Sequence, residues 1–66
     1  RPIIKQCIAR TGGIVKLARL LGISHQSFYS WKEIPPYRVL DMERITGISR
    51  YELRPDIYGP PPKGEG

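Results

Sequence analysis

Sixty-six residues with a net charge of +5 make room for one domain and a modest core. Cys7 is the only cysteine and His25 the only histidine, which excludes an intrachain disulfide and a zinc site of the usual Cys/His kind. No apolar run is long enough to span a bilayer and no signal-peptide pattern is present, so packed helices in a cytoplasmic protein are expected, with or without help from a partner subunit.

The charge is unevenly placed. Residues 1–33 carry six basic side chains against Glu33, whereas residues 34–66 carry five of each sign. Such a split suits a surface facing phosphates, with ordinary solvated charge as the plain alternative. The chain does not open on Met, which suggests a trimmed chain or a fragment.

Pro2 suits the first turn of a helix, where its missing N–H is no loss. Ile4, Cys7 and Ile8 then form an i, i+3, i+4 stripe, and the helix should reach about Arg10. Within that stripe Cys7 reads as a small core residue rather than a nucleophile, since the only His is distant. Thr11-Gly12-Gly13 ends the helix. Either Gly can take a positive φ, and Gly13 allows close approach of the backbone to another group, a DNA phosphate being one candidate and a plain helix connector the alternative.

Ile14, Leu17, Ala18 and Leu21 repeat at i, i+3, i+4 and i+7, the pattern of an amphipathic helix with Lys16 and Arg19 outward. Gly22 follows as a left-handed stop. Ser24 can cap the next helix, expected over residues 25–32, with Phe28 and Trp31 on its buried face. This is the spacing of a DNA-binding helix-turn-helix; an αα-hairpin without a DNA role has the same spacing.

On that second helix His25, Gln26, Tyr29 and Ser30 fall outward and are the base-reading candidates. Gln can pair bidentately with adenine, His can donate to guanine or to a phosphate, and Tyr can stack, touch a thymine methyl or donate its hydroxyl. Ser24 and Ser27, with free amides at the helix start, are candidate phosphate contacts. Thr11, Gly13, Lys16 and Lys32 complete the backbone-contact set. No catalytic constellation, cofactor motif or metal cluster stands at a credible spacing, so an enzyme is not expected.

Residues 33–36 read as a turn leading to a fourth helix over about residues 37–46, stopped by Gly47. Ser49 and Glu52 have capping-box spacing, with Ile48 and Leu53 at the staple positions. Pro55 should stop that short helix, and Ile57 and Tyr58 could fold back on the core. Residues 1–58 are therefore expected to form the domain and residues 59–66 a flexible, proline-rich tail.

The run Gly12–Tyr58 resembles the Cro/CI-type regulators of phages and prophages, and is most similar to the YdaS-like group, often labelled antitoxins. The resemblance rests on Gly12-Gly13, Leu17-Ala18, Leu21-Gly22-Ile23-Ser24, Trp31, Pro36, Glu43-Arg44, Thr46-Gly47 and the run from Leu53 to Tyr58. It implies an all-α, lambda-repressor-like bundle of about five helices that binds operator DNA in the bacterial cytoplasm, usually as a homodimer on related half-sites. It also places His25, Gln26, Tyr29 and Ser30 toward the bases. Many relatives have Gln where Ile14 stands, so that backbone contact must weaken or pass to Thr11, the glycine amides or Lys16. The expected activity is operator-specific regulation, most simply repression by occupancy. The alternative is an antitoxin or interaction module that binds a toxin or other protein.

Overall fold

The computed structural model describes residues 3–62. The expectations for Pro2 and for the end of the tail lie outside those residues. Within them the fold is all-α, with helices α1 (Ile3–Thr11), α2 (Ile14–Leu21), α3 (Ser27–Ser30), α4 (Val39–Thr46), α5 (Arg50–Leu53) and α6 (Pro55–Tyr58), and a 3-10 turn at Pro36–Arg38 before α4.

The apolar stripes converge on one core. Cys7 from α1, Leu17 and Ala18 from α2, Phe28 from α3, Val39 and Met42 from α4, and Leu53 from α5 are all buried, joined by Ile34 and Ile48 from the connectors. Ile3, Ile4, Ile8, Ile14, Ile23, Trp31, Ile45 and Tyr58 pack around this centre. Burial of that apolar surface, at roughly 25 cal/mol per Å², is what offsets the ordering of so small a chain. The Cys7 side chain is fully enclosed, as its place in the stripe implied, and burial pushes its thiol up to about 11 from an ordinary 9.0.

Helix ends are closed by specific groups. Gly22 adopts φ 75°, ψ 28°, and its N–H returns to the carbonyls of Ala18 and Arg19. Arg38 Nη1 donates to the Leu21 carbonyl at 3.4 Å, and Arg10 Nη1 reaches the Thr46 carbonyl at 3.5 Å. Cations at helix C-termini also complement the helix dipole.

Four expectations need correction. The helix of residues 25–32 is only the single turn Ser27–Ser30. His25 and Gln26 lie in the preceding turn, where Ser27, Phe28 and Tyr29 N–H groups donate to the carbonyls of Ser24, His25 and Gln26. Trp31 is already extended at φ −81°, ψ 120°. The chain must straighten there to bring Ile34 into the core, and Pro35 disfavours a helical Ile34.

The second correction concerns α5. Ser49 Oγ accepts the Tyr51 N–H at 3.0 Å, but Glu52 is exposed and does not complete a capping box. Glu43 of α4 takes over the helix start: its Oε2 accepts the Arg50 N–H at 2.8 Å, and Arg50 Nη2 lies 3.0 Å from its Oε1. Those bonds hold the Glu43 carboxyl below the usual range.

Third, Pro55 opens a helix rather than only ending one. It occupies the first turn of α6, where its lack of an N–H is harmless. Fourth, Tyr58 does pack on the core, edge-on to Tyr51 with ring centroids 6.3 Å apart, but Ile57 points outward and is 44 % exposed.

Candidate nucleic-acid interface

The segment from Ser24 to Lys32 brings most of the outward-facing polar candidates together. Gly22 ends α2, the turn Ser24–Gln26 reverses the chain, and Phe28 pins α3 to the core from behind. The Trp31 ring meets Phe28 edge to face at 4.8 Å and 72°, bracing the end of the segment. Such contacts are worth about 0.5–1.5 kcal/mol beyond the area they bury. Trp31 is half-buried, so it forms the rim of the core rather than its centre.

On the outer side Gln26, Tyr29 and Ser30 are exposed, and His25 and Ser27 are half-exposed. Tyr29 is 75 % exposed, an unusual position for a large ring without a partner. The Ser30 hydroxyl is committed, donating to the Ser27 carbonyl at 2.8 Å, so its free capacity is as an acceptor.

Ser24 is not the cap of α3. Its hydroxyl accepts the Gln26 N–H at 3.3 Å and donates to Gln26 Oε1 at 3.3 Å. The Gln26 amide is thus held by its oxygen, leaving its two N–H donors for another acceptor.

The backbone-contact candidates divide. Gly13 and Lys16 line an open depression of about 520 Å³ at the start of α2, together with Gly12, Val15, Arg19 and Leu20. Gly12 and Gly13 both have positive φ, 92° and 142°, so the pair forms a turn that side chains rarely follow. A Cβ added at Gly12 would sit 3.8 Å from Lys16 Cδ, which places the lysine stem across that turn. Lys32 is exposed just beyond α3.

Thr11 is different. It is 8 % exposed, and its hydroxyl lies 3.2 Å and 3.1 Å from the Cys7 and Ile8 carbonyls, to which it donates. It belongs to the interior of the α1 end and leaves the surface set. Ile14 packs against the core.

Sequence reasoning missed Arg54. This arginine is 7 % exposed, and its guanidinium donates to the Ile34 carbonyl at 2.6 Å and to both carboxylate oxygens of Asp56 at 2.9 Å and 2.6 Å. The nearby Asp56 supplied a sequence signal, two residues away, but the Ile34 partner is twenty residues distant.

Among the described residues no group of three His, Cys, Asp or Glu side chains is placed to hold a metal ion, and no helix is long and apolar enough to cross a membrane.

The fold and its outward-facing segment define a small all-α bundle built on two helices across a glycine turn. The chain belongs to the YdaS family: the family model described as "Bacterial toxin YdaS" matches residues 4–62. No curated protein and no solved structure matches the chain.

Proposed function

We propose that this protein is a Cro/CI-type regulator that binds double-stranded operator DNA by inserting residues 25–32 into the major groove. The observation that carries this reading is the cluster of outward His25, Gln26, Tyr29 and Ser30 on one short segment fixed from behind by Phe28. Its setting supports it, because no acidic residue precedes Glu33. Gln26 is the principal reader, Tyr29 and His25 supply stacking or donor contacts, and Ser24, Ser27, Gly13, Lys16 and Lys32 meet phosphates.

Regulation needs no chemistry and no cofactor. An occupied operator excludes polymerase, so repression is the simplest outcome. One such domain covers little DNA, and a homodimer with its reading segments about one DNA turn apart would supply useful affinity. Tyr37 and Leu40 are exposed, at 77 % and 52 %, three residues apart on the 3-10 turn and α4, and are candidates for the dimer surface. This role places the protein in the bacterial cytoplasm, at the nucleoid.

Selection from a random pool of duplex DNA tests the reading. Enrichment of a two-fold-related motif supports a dimeric regulator, and a single half-site supports a monomer. No enrichment by folded protein rejects sequence-specific binding.

The family's name favours a second reading, in which the chain acts as a toxin or pairs with one through a protein surface. The two readings are compatible if harm to the cell comes from occupied promoters. Expression of Gln26→Ala in cells separates them: growth arrest that survives loss of DNA binding assigns toxicity to a protein partner.

A further inference from the structure

α3 is a single helical turn, and its own hydrogen bonds cannot set its direction. Three attachments do so. The Gly22 turn holds the entry, Phe28 holds the middle, and the segment from Trp31 to Pro35 holds the exit. That exit has no helix of its own. It is fixed by the enclosed Ile34 side chain and by the bond from Arg54 to the Ile34 carbonyl.

The geometry at Arg54 is directional. Asp56 receives Nε and Nη2 through its two oxygens, a fork-to-fork pairing that fixes the guanidinium plane. The remaining nitrogen, Nη1, is thereby aimed at the Ile34 carbonyl at 2.6 Å. Glu33 adds an oxygen 3.3 Å from Nη2, so two successive residues of the exit segment are drawn to one buried cation. A lysine supplies charge here but no fixed plane.

We infer that Arg54 is a positioning residue for the DNA-reading segment: through Ile34 and Glu33 it sets the exit of α3, with Asp56 aiming its guanidinium. The DNA half of this inference rests on the function proposed above; the structural half does not.

The test compares the intact chain with Arg54→Lys and Asp56→Asn, by amide hydrogen exchange and by affinity for the selected duplex against random duplex. Local opening reports on the exit segment independently of DNA. Exchange at the hydrogen-bonded amides of Phe28, Tyr29 and Trp31 is expected to rise about tenfold while α1 and α4 stay protected, the equivalent of about 1.4 kcal/mol of local stability. Affinity for the selected duplex should fall about tenfold, with random-duplex affinity within about threefold of the parent, and Asp56→Glu should restore part of the loss.

A uniform rise in exchange across α1, α4 and the amides of Phe28, Tyr29 and Trp31 would overturn the inference, because Arg54 then only holds the fold. Unchanged exchange at those three amides would overturn it as well. Should Arg54→Lys not fold, Asp56→Asn decides alone, since it leaves the guanidinium in place without its full aim. Local loosening in a protein that selects no duplex upholds the positioning role and rejects the DNA reading.

Discussion

Ser24 and Gln26 hold each other twice, through a backbone N–H to a hydroxyl and from that hydroxyl to the amide oxygen, both at 3.3 Å. The pair presents the Gln26 N–H groups outward before any ligand arrives. Gln26→Ala should leave the melting curve unchanged and cost about 1–3 kcal/mol of specific DNA binding. Ser24→Ala should cost less, because it frees the glutamine without removing it. Fluorescence anisotropy on the selected duplex measures both, and a larger effect for Ser24 than for Gln26 would reverse their roles.

The two aromatic residues of the segment differ in weight. Phe28 is 5 % exposed in the core, so Phe28→Ala should cost about 3–5 kcal/mol, a large share of what a domain of this size has. Trp31 sits at the rim, and Trp31→Ala should cost about 1–3 kcal/mol. Urea titration followed by circular dichroism ranks them; equal costs would contradict the difference in burial.

Lys16→Ala is expected to weaken binding to all duplexes alike and to lower the slope of log affinity against log salt by about 1. Its stem lies across the Gly12 turn. A change in which sequences are preferred would refute its phosphate role.

Stability should depend on pH at both ends. The Arg50 N–H and guanidinium lower the Glu43 carboxyl, and the Arg54 fork does the same for Asp56. In acid the unfolded chain therefore binds more protons than the folded one. The contribution is complete at neutral pH, begins to fall as pH drops through the ordinary values of 4.5 and 3.8, and is lost below the folded-state values. Melting temperature against pH should be flatter for Glu43→Gln across that range.

In alkali the sign reverses. Above pH 9.0 an unfolded Cys7 thiol ionises, while the buried one keeps its proton until about 11. The folded state then binds more protons, and stability should fall by about 2–3 kcal/mol across that window. Cys7→Ala removes this component, so the difference between the two pH curves isolates it. Parallel curves would mean that the thiol is not enclosed.

The sequence was most readable where a single local rule dominates. α2 runs from Ile14 to Leu21 and stops at a left-handed Gly22, as its spacing and its glycine require. Ile48 and Leu53 are buried at their staple positions for the same reason. Reading failed where distant partners compete. Glu52 has the right spacing to reach back to the N-cap Ser49, but the side chain found at the start of α5 is Glu43, brought in by α4, which accepts the next amide, that of Arg50. Residues 25–32 have a helical period, yet the need to seat Ile34 ends the helix at Ser30. Ser24 satisfies a nearby turn rather than the α3 start, and Thr11 turns inward, because each hydroxyl finds a closer partner than the one expected of it. Tyr29 and Ser30 follow the helical period around Phe28, whereas His25 and Gln26 face outward because of the turn before α3, which the period does not describe.

The longest helix among the described residues, α1, has nine residues, and three of the six have four. Peptides of that length are coils in water. No segment of this protein can therefore be cut out and kept in shape. A substitution on the side opposite the reading segment reaches it by lowering the fraction of molecules in which that segment exists at all. Affinity measured near the melting temperature will then report folding as much as recognition, and the two part company only in the cold.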